Sequence, residues 1–246
     1  MNETPEMLAA LEVKGLVAGY DGREVLHGVD VIVMPGQTFG VVGLNGVGKT
    51  TMIKCILALK EVGGGGIRIF GRSHGEGDSR AHIAYLPERF DPPWFLTGGE
   101  FIEFSASLYG RKIGIEDMRS ACESVALDAD VLSRRVQTYS KGMRQKLGLI
   151  ATVLTGCQML ILDEPMSGLD PRARALVKKL LGQVRAEGRT VVLSSHILSD
   201  MDEICDQIAV IDGGHVRFSG APRGLRQEME EETLEKAFLK VIDKAA

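Results

Sequence analysis

The run Gly43-Leu44-Asn45-Gly46-Val47-Gly48-Lys49-Thr50-Thr51 constrains this chain of 246 residues more than any other stretch. The apolar segment Thr38-Phe39-Gly40-Val41-Val42 precedes it, and the helix-compatible Met52-Ile53-Lys54-Cys55-Ile56-Leu57 follows. Strand, glycine-rich loop and helix form the setting of a phosphate-binding loop. Glycine lets the backbone fold tightly and point its N–H groups at phosphate oxygens. The start of the following helix adds a favourable dipole for the anion. In such a loop Lys49 reaches the β- and γ-phosphates, and the Thr50 hydroxyl holds Mg²⁺. The ligand this run predicts is a nucleoside triphosphate.

The pattern around the loop predicts an α/β fold. Residues 8–34 alternate apolar and polar positions around the turn-rich Gly19-Tyr20-Asp21-Gly22-Arg23, which reads as an antiparallel strand pair. Gly63-Gly64-Gly65-Gly66 reads as a flexible turn before the short strand Ile67-Arg68-Ile69-Phe70-Gly71. From about 88 to 157 the texture turns helical: Glu100, Phe101, Phe104, Ser105 and Leu108 fall at helical spacing, as do Met118, Cys122, Val125 and Ala126. The continuous apolar runs Met159-Leu160-Ile161-Leu162 and Thr190-Val191-Val192-Leu193 suit strands buried on both faces, with a helix over 172–187 between them. A helix over 199–205 and a hairpin-like pair (207–211 and 215–219) follow. The tail over 226–244 reads as charged and helical, its mixed charge a solvated face.

Composition narrows the function classes. A net charge of −4 argues against nucleic acid as a partner, since binders of the phosphate backbone carry a basic excess. Cys55, Cys122, Cys157 and Cys205 are scattered with no metal-like spacing and read as thiols of a reducing compartment. The acidic start Met1-Asn2-Glu3-Thr4-Pro5-Glu6 has no apolar region of the signal-peptide kind. The most apolar stretch, 147–162, contains Gln158, is broken by Gly156, and falls short of the ~20 residues a spanning helix needs. A cytoplasmic protein is expected, one able to dock on a membrane protein.

Asp163-Glu164 places two acids where a buried strand ends. Asp163 suits the Mg²⁺ ion begun by Thr50, and Glu164, pointing elsewhere, suits a general base for an attacking water. Ser194-Ser195-His196 follows the next buried strand, and the histidine is either a contact to the γ-phosphate or a structural residue. In Tyr139-Ser140-Lys141-Gly142-Met143-Arg144-Gln145-Lys146, Ser140 is a helix N-cap. A capped helix start with a close-approach glycine also suits a phosphate.

Taken together, 43–51, 139–145, Asp163-Glu164-Pro165, Ser167-Gly168-Leu169-Asp170 and His196 resemble the ATP-binding subunit of an ABC transporter over about residues 8–220. The resemblance implies a P-loop NTPase core with an antiparallel β subdomain and an inserted helical subdomain. The chain would be a single ABC ATPase domain, 1–246: core about 8–87 and 158–220, helical insert about 88–157, charged tail about 226–244. It implies that Tyr20 stacks on adenine, and that Ser140 and Gly142 contact the γ-phosphate held by the opposite subunit. Asp170 would organise the dimer interface, and His196 would sense the γ-phosphate. The implied ligands are ATP and Mg²⁺. The implied partners are a separate membrane permease and a second ATPase subunit, a second copy being expected ahead of a different chain.

Two positions depart from the family pattern. The signature, most often Leu-Ser-Gly-Gly-Gln, reads Tyr139-Ser140-Lys141-Gly142-Met143 here, a form that resembles the export branch. Glu88 stands where the family usually has a Mg²⁺-contacting glutamine, and the resemblance implies that a carboxylate there reaches the ion through water in place of direct coordination. Trp94 and Phe95 lie where the family docks its membrane partner, with core packing as the other reading of Trp94. The rival function, a soluble ABC protein acting on ribosomes or DNA, usually carries two ATPase units or long coiled-coil insertions. This chain has one phosphate loop and no long heptad run. A nucleotide-binding regulator without turnover is a third reading, against which Glu164 and His196 argue.

Overall fold

A computed structural model describes residues 8–76 and 78–244; the N-terminal segment read above for a signal peptide lies outside the described residues. The chain runs β1 (Leu11–Tyr20), β2 (Arg23–Val33), β3 (Thr38–Val42), α1 (Lys49–Ile56), β4 (Gly64–Ile69), β5 (Arg72–Ser73) and β6 (Ile83–Leu86). Three helices follow: α2 (Gly98–Ser107), α3 (Ile115–Ser124) and α4 (Lys141–Leu154). Then come β7 (Met159–Asp163), α5 (Pro171–Ala186), β8 (Thr190–Ser195), α6 (Leu198–Ile204), β9 (Gln207–Asp212), β10 (His215–Gly220), α7 (Pro222–Met229) and α8 (Leu234–Asp243).

Two sheets organise these elements. Strands β2-β1-β4-β5 form an antiparallel sheet. The other sheet has the order β10-β9-β3-β8-β7-β6, parallel throughout except for the antiparallel edge strand β10. Every residue of β3, β7 and β8 is buried, as expected for strands covered on both faces. Alternate residues feed two cores. Phe39, Val41, Met159, Ile161 and Val192 pack with α1 and the antiparallel sheet, while Val42, Leu160, Leu162, Val191 and Leu193 pack with the helices on the other side.

The structure departs from the sequence reading in three places. Gly64, Gly65 and Gly66 belong to strand β4 and not to a turn, since β1 pairs with them across a bulge. Gly65 has φ +79°, and a Cβ there would stand 2.2 Å from the Gly15 carbonyl oxygen, so the pairing itself demands glycine. In α2 the helical spacing is realised, but Phe101, Ile102 and Ala106 form the buried side, while Phe104 and Leu108 are exposed. The tail is two helices, and its charge occupies one side only: Leu225, Met229, Leu234, Ala237, Phe238 and Val241 join the core.

Side-chain caps start the helices that matter for the site. Thr97 and Glu100 form a reciprocal capping box on α2. Ser140 accepts the Met143 N–H at 3.2 Å to start α4, and Asp170 accepts the Ala173 N–H at 2.9 Å to start α5. Among the described residues no helix is long and apolar enough to cross a membrane.

Neighbouring positions in α8 test whether the tail belongs to the core. Phe238 is 5% exposed and Leu239 is 57% exposed. In denaturant melts, Phe238→Ala should cost about 3 kcal/mol or more through transfer and cavity terms. Leu239→Ala should stay within about 0.5 kcal/mol of the parent. Equal, small effects would make the tail a dispensable appendage.

Candidate functional site

The site lies at the carboxyl ends of β3, β7 and β8. After β3 the chain turns through the glycine loop into α1, with Gly46 at φ +83° and Gly48 at φ +112°. A Cβ at Gly43 would approach the Ile211 carbonyl oxygen to 2.4 Å, and one at Gly48 would approach Leu26 Cδ2 to 2.5 Å. The loop is therefore pressed between β9 and β2, with no room for larger residues at these positions. Lys49, buried at the first position of α1, donates from Nζ to the carbonyls of Gly43 (2.7 Å) and Leu44 (3.0 Å). Burial pulls its ammonium below the ordinary lysine pKa, opposed by the charges of Glu164, Asp163 and Glu88.

The acids meet the loop across the sheet. Thr50 Oγ1 donates to Asp163 Oδ2 at 3.0 Å. Ser194 Oγ donates to Asp163 Oδ1 at 2.5 Å and accepts the Glu164 N–H at 3.0 Å. Glu164 has φ +51°, a left-handed conformation uncommon outside glycine. Its Oε2 lies 2.8 Å from His196 Nδ1. Gln145, on α4, donates from Nε2 to the Pro165 carbonyl at 3.1 Å, so the helical segment grips the turn that follows the acids. A cavity of about 360 Å³ opens among Asn45, Lys49, Thr50, Glu88, Asp163, Glu164, Ser167 and His196.

The predicted residues thus fall into three places, apart from Gly43, Leu44 and Val47, which lie in the loop but line neither cavity. Asn45, Gly46, Gly48, Lys49, Thr50, Thr51, Glu88, Asp163, Glu164 and His196 share this cavity. Ser140, Gly142 and Asp170 line a second cavity of about 250 Å³ with Lys146 and Leu169. Tyr20, 42% exposed at the end of β1, lines neither, and its ring carries the Lys60 ammonium 4.5 Å from the centroid.

Thr50, Asp163 and Glu88 present hard oxygen donors to one space. That suits Mg²⁺, which binds through one or two carboxylates together with phosphates and water. Among the described residues there is no group of three or more His, Cys, Asp or Glu side chains that could cage a metal. Sequence reasoning gave Ser194 no role. The available signal was a polar residue ending a fully apolar strand beside an acid ending another.

The ABC transporter family model matches residues 26–167. The chain is 34% identical, over 80% of its length, to an uncharacterized ABC transporter ATP-binding protein of Synechocystis sp., and it spans 57% of that protein. It is 34% identical, over 93% of its length, to the daunorubicin/doxorubicin resistance ATP-binding protein DrrA of Streptomyces peucetius, of which it spans 70%. The chain thus spans little more than half the length of the Synechocystis relative. Its structure is similar to that of an ATP-binding subunit of an ABC transporter, with a TM-score of 0.85 and 30% identity over 94% of this chain and 99% of the other.

Tyr85, on β6, has its pKa pushed up to about 12, chiefly by burial, with Asp163 and Glu88 adding to it. An unfolded tyrosine ionises near 10, so above that pH the unfolded chain has lost a proton that the folded chain keeps. Stability falls as pH rises from about 10 towards 12. Tyr85→Phe should show a shallower fall over that window in denaturant melts; an unchanged slope would place the phenol in water.

Proposed function

This chain belongs to the ABC transporter family, and from that premise we propose that it is an ATP-hydrolysing motor that dimerises around two Mg-ATP and drives a separate membrane permease. The observation that carries the reading is the meeting of Lys49, Asp163, Glu164 and His196 on one cavity at the phosphate loop. The loop N–H groups and Lys49 hold the β- and γ-phosphates, and Thr50, Asp163 and Glu88 hold Mg²⁺. When bound, the ion neutralises charge on the phosphate oxygens. Glu164 takes a proton from the attacking water, oriented by its contact with His196, which senses the γ-phosphate. Low exposure of both acids strengthens their charge interactions in the site.

The second cavity is the surface offered to a partner subunit. Ser140 and Gly142 at the start of α4 meet the γ-phosphate bound to the opposite chain, Asp170 organises the interface, and Tyr20 stacks on adenine. A second copy of this chain is the simplest partner. The Tyr-Ser-Lys-Gly-Met signature and the likeness to a protein named for drug resistance support export. The chain would work as one domain, 1–246, at the cytoplasmic face of the membrane through its permease, with no nucleic acid.

Two variants test this reading. Lys49→Ala removes a charge that binds phosphate in ground and transition states alike, so ATP affinity and turnover should both collapse. Normal nucleotide binding would mean the loop is not the phosphate site. Glu164→Gln keeps the shape but cannot accept a proton, so turnover should fall by about 10²–10⁴-fold while Mg-ATP binding survives. ATP retained between subunits should then shift gel-filtration profiles from monomer to dimer by mass action. Ser140→Arg in the same background should abolish that dimer. Hydrolysis at the parent rate in Glu164→Gln would sink the general-base assignment.

A further inference from the structure

Ser194 is fully buried on β8, directly opposite Asp163 in the parallel register of β7 and β8. A hydroxyl has one hydrogen to donate and lone pairs to accept with. Here the hydrogen goes to Asp163 Oδ1, and a lone pair takes the Glu164 N–H. The ladder between the two strands ends at this pair, so a side chain and not a main-chain carbonyl receives the next N–H.

The consequences reach both acids through one atom. With Oδ1 held by Ser194 and Oδ2 by Thr50, the Asp163 carboxylate is fixed in rotation and keeps Oδ2 on the side of the phosphate loop. Glu164 sits in a left-handed conformation that is strained for a residue carrying a side chain. Its N–H bond to Ser194 holds that conformation and so aims the carboxylate at His196 and the cavity.

We propose that Ser194 is a positioning residue that sets the ion-binding oxygen of Asp163 and the backbone of Glu164 in one geometry. The proposal deepens the functional reading above and rests on it. A residue that merely satisfied a buried N–H would affect stability alone; one that places two reacting groups affects turnover and ion affinity at fixed nucleotide binding.

Ser194→Thr and Ser194→Val have nearly the same shape and differ in the hydroxyl, and Ser194→Ala removes the hydroxyl without added bulk. Four quantities are read: kcat and KM for Mg-ATP, ADP affinity in EDTA, Mn²⁺ affinity of the ADP complex by electron paramagnetic resonance, and Tm. Ser194→Thr should retain most of the turnover. Ser194→Val and Ser194→Ala should lose about 10–100-fold in kcat and about tenfold in Mn²⁺ affinity, the range for groups that orient metal ligands. ADP affinity in EDTA should stay within about twofold, because Lys49 and the loop are untouched. Equal kcat and Mn²⁺ affinity in the Thr and Val variants would overturn the proposal, as would a kcat loss matched by an equal loss of ADP affinity in EDTA. If Val does not fold, the comparison of Ala with the parent decides on the same terms. A parent chain without ATPase activity would sink the functional reading instead. The Mn²⁺ measurement would then decide the role of Ser194: a tenfold gap upholds it and no gap refutes it.

Discussion

Parallel hydrogen bonding of β8 to β3 on one side and β7 on the other brings three strand ends to one edge of the sheet. Val42 pairs with Ser195 and Asp163 with Ser194, so the glycine loop, the two acids and His196 leave the sheet side by side. Ligands of open α/β sheets bind outside the carboxyl ends of the strands for this reason. Both faces of these strands are buried, and a slip of one residue would exchange the residues that feed the two cores. The burial that stabilises the sheet is therefore also what fixes the distances among the reacting groups.

Charge in the cavity adds a second constraint. One buried ammonium faces three carboxylates, those of Glu88, Asp163 and Glu164. A triphosphate entering this space meets more negative side-chain charge than positive. The loop N–H groups and the helix dipole offset part of that. In the proposed function a divalent cation held by Asp163 and Glu88 would offset the rest, so nucleotide and ion are expected to bind as a pair. Glu88 in place of an amide sharpens that dependence.

What the sequence disclosed was what short-range chemistry decides. The glycine loop, the apolar runs of β7 and β8, the acid pair and the cap at Ser140 are each written within a few residues. Gly64, Gly65 and Gly66 misled because their conformation is set by pairing with β1, about fifty residues away. The buried side of α2 was not legible because spacing gives a period and not the direction of the neighbouring core. In the tail, charge masked an apolar side that only the packing against the rest of the molecule reveals. In the site, Asp163 and Glu164 were read directly, while Ser194 gained meaning only once the register set its hydroxyl beside them.

The sequence separations within the site differ sharply. Asp163 and Ser194 are 31 residues apart and joined by a single β–α–β crossover, and Glu164 and His196 belong to the same unit. Thr50 reaches Asp163 from 113 residues away, through a strand that must find β8 across the whole helical segment. Local contacts form early and cheaply, whereas non-local pairing waits on loop closure. The acids and the histidine need only one short crossover to meet, whereas the phosphate loop needs a far longer closure to reach them. An ordered acid pair does not by itself report a finished nucleotide site, because the lysine depends on a different, longer-range strand pairing, that of β3 with β8.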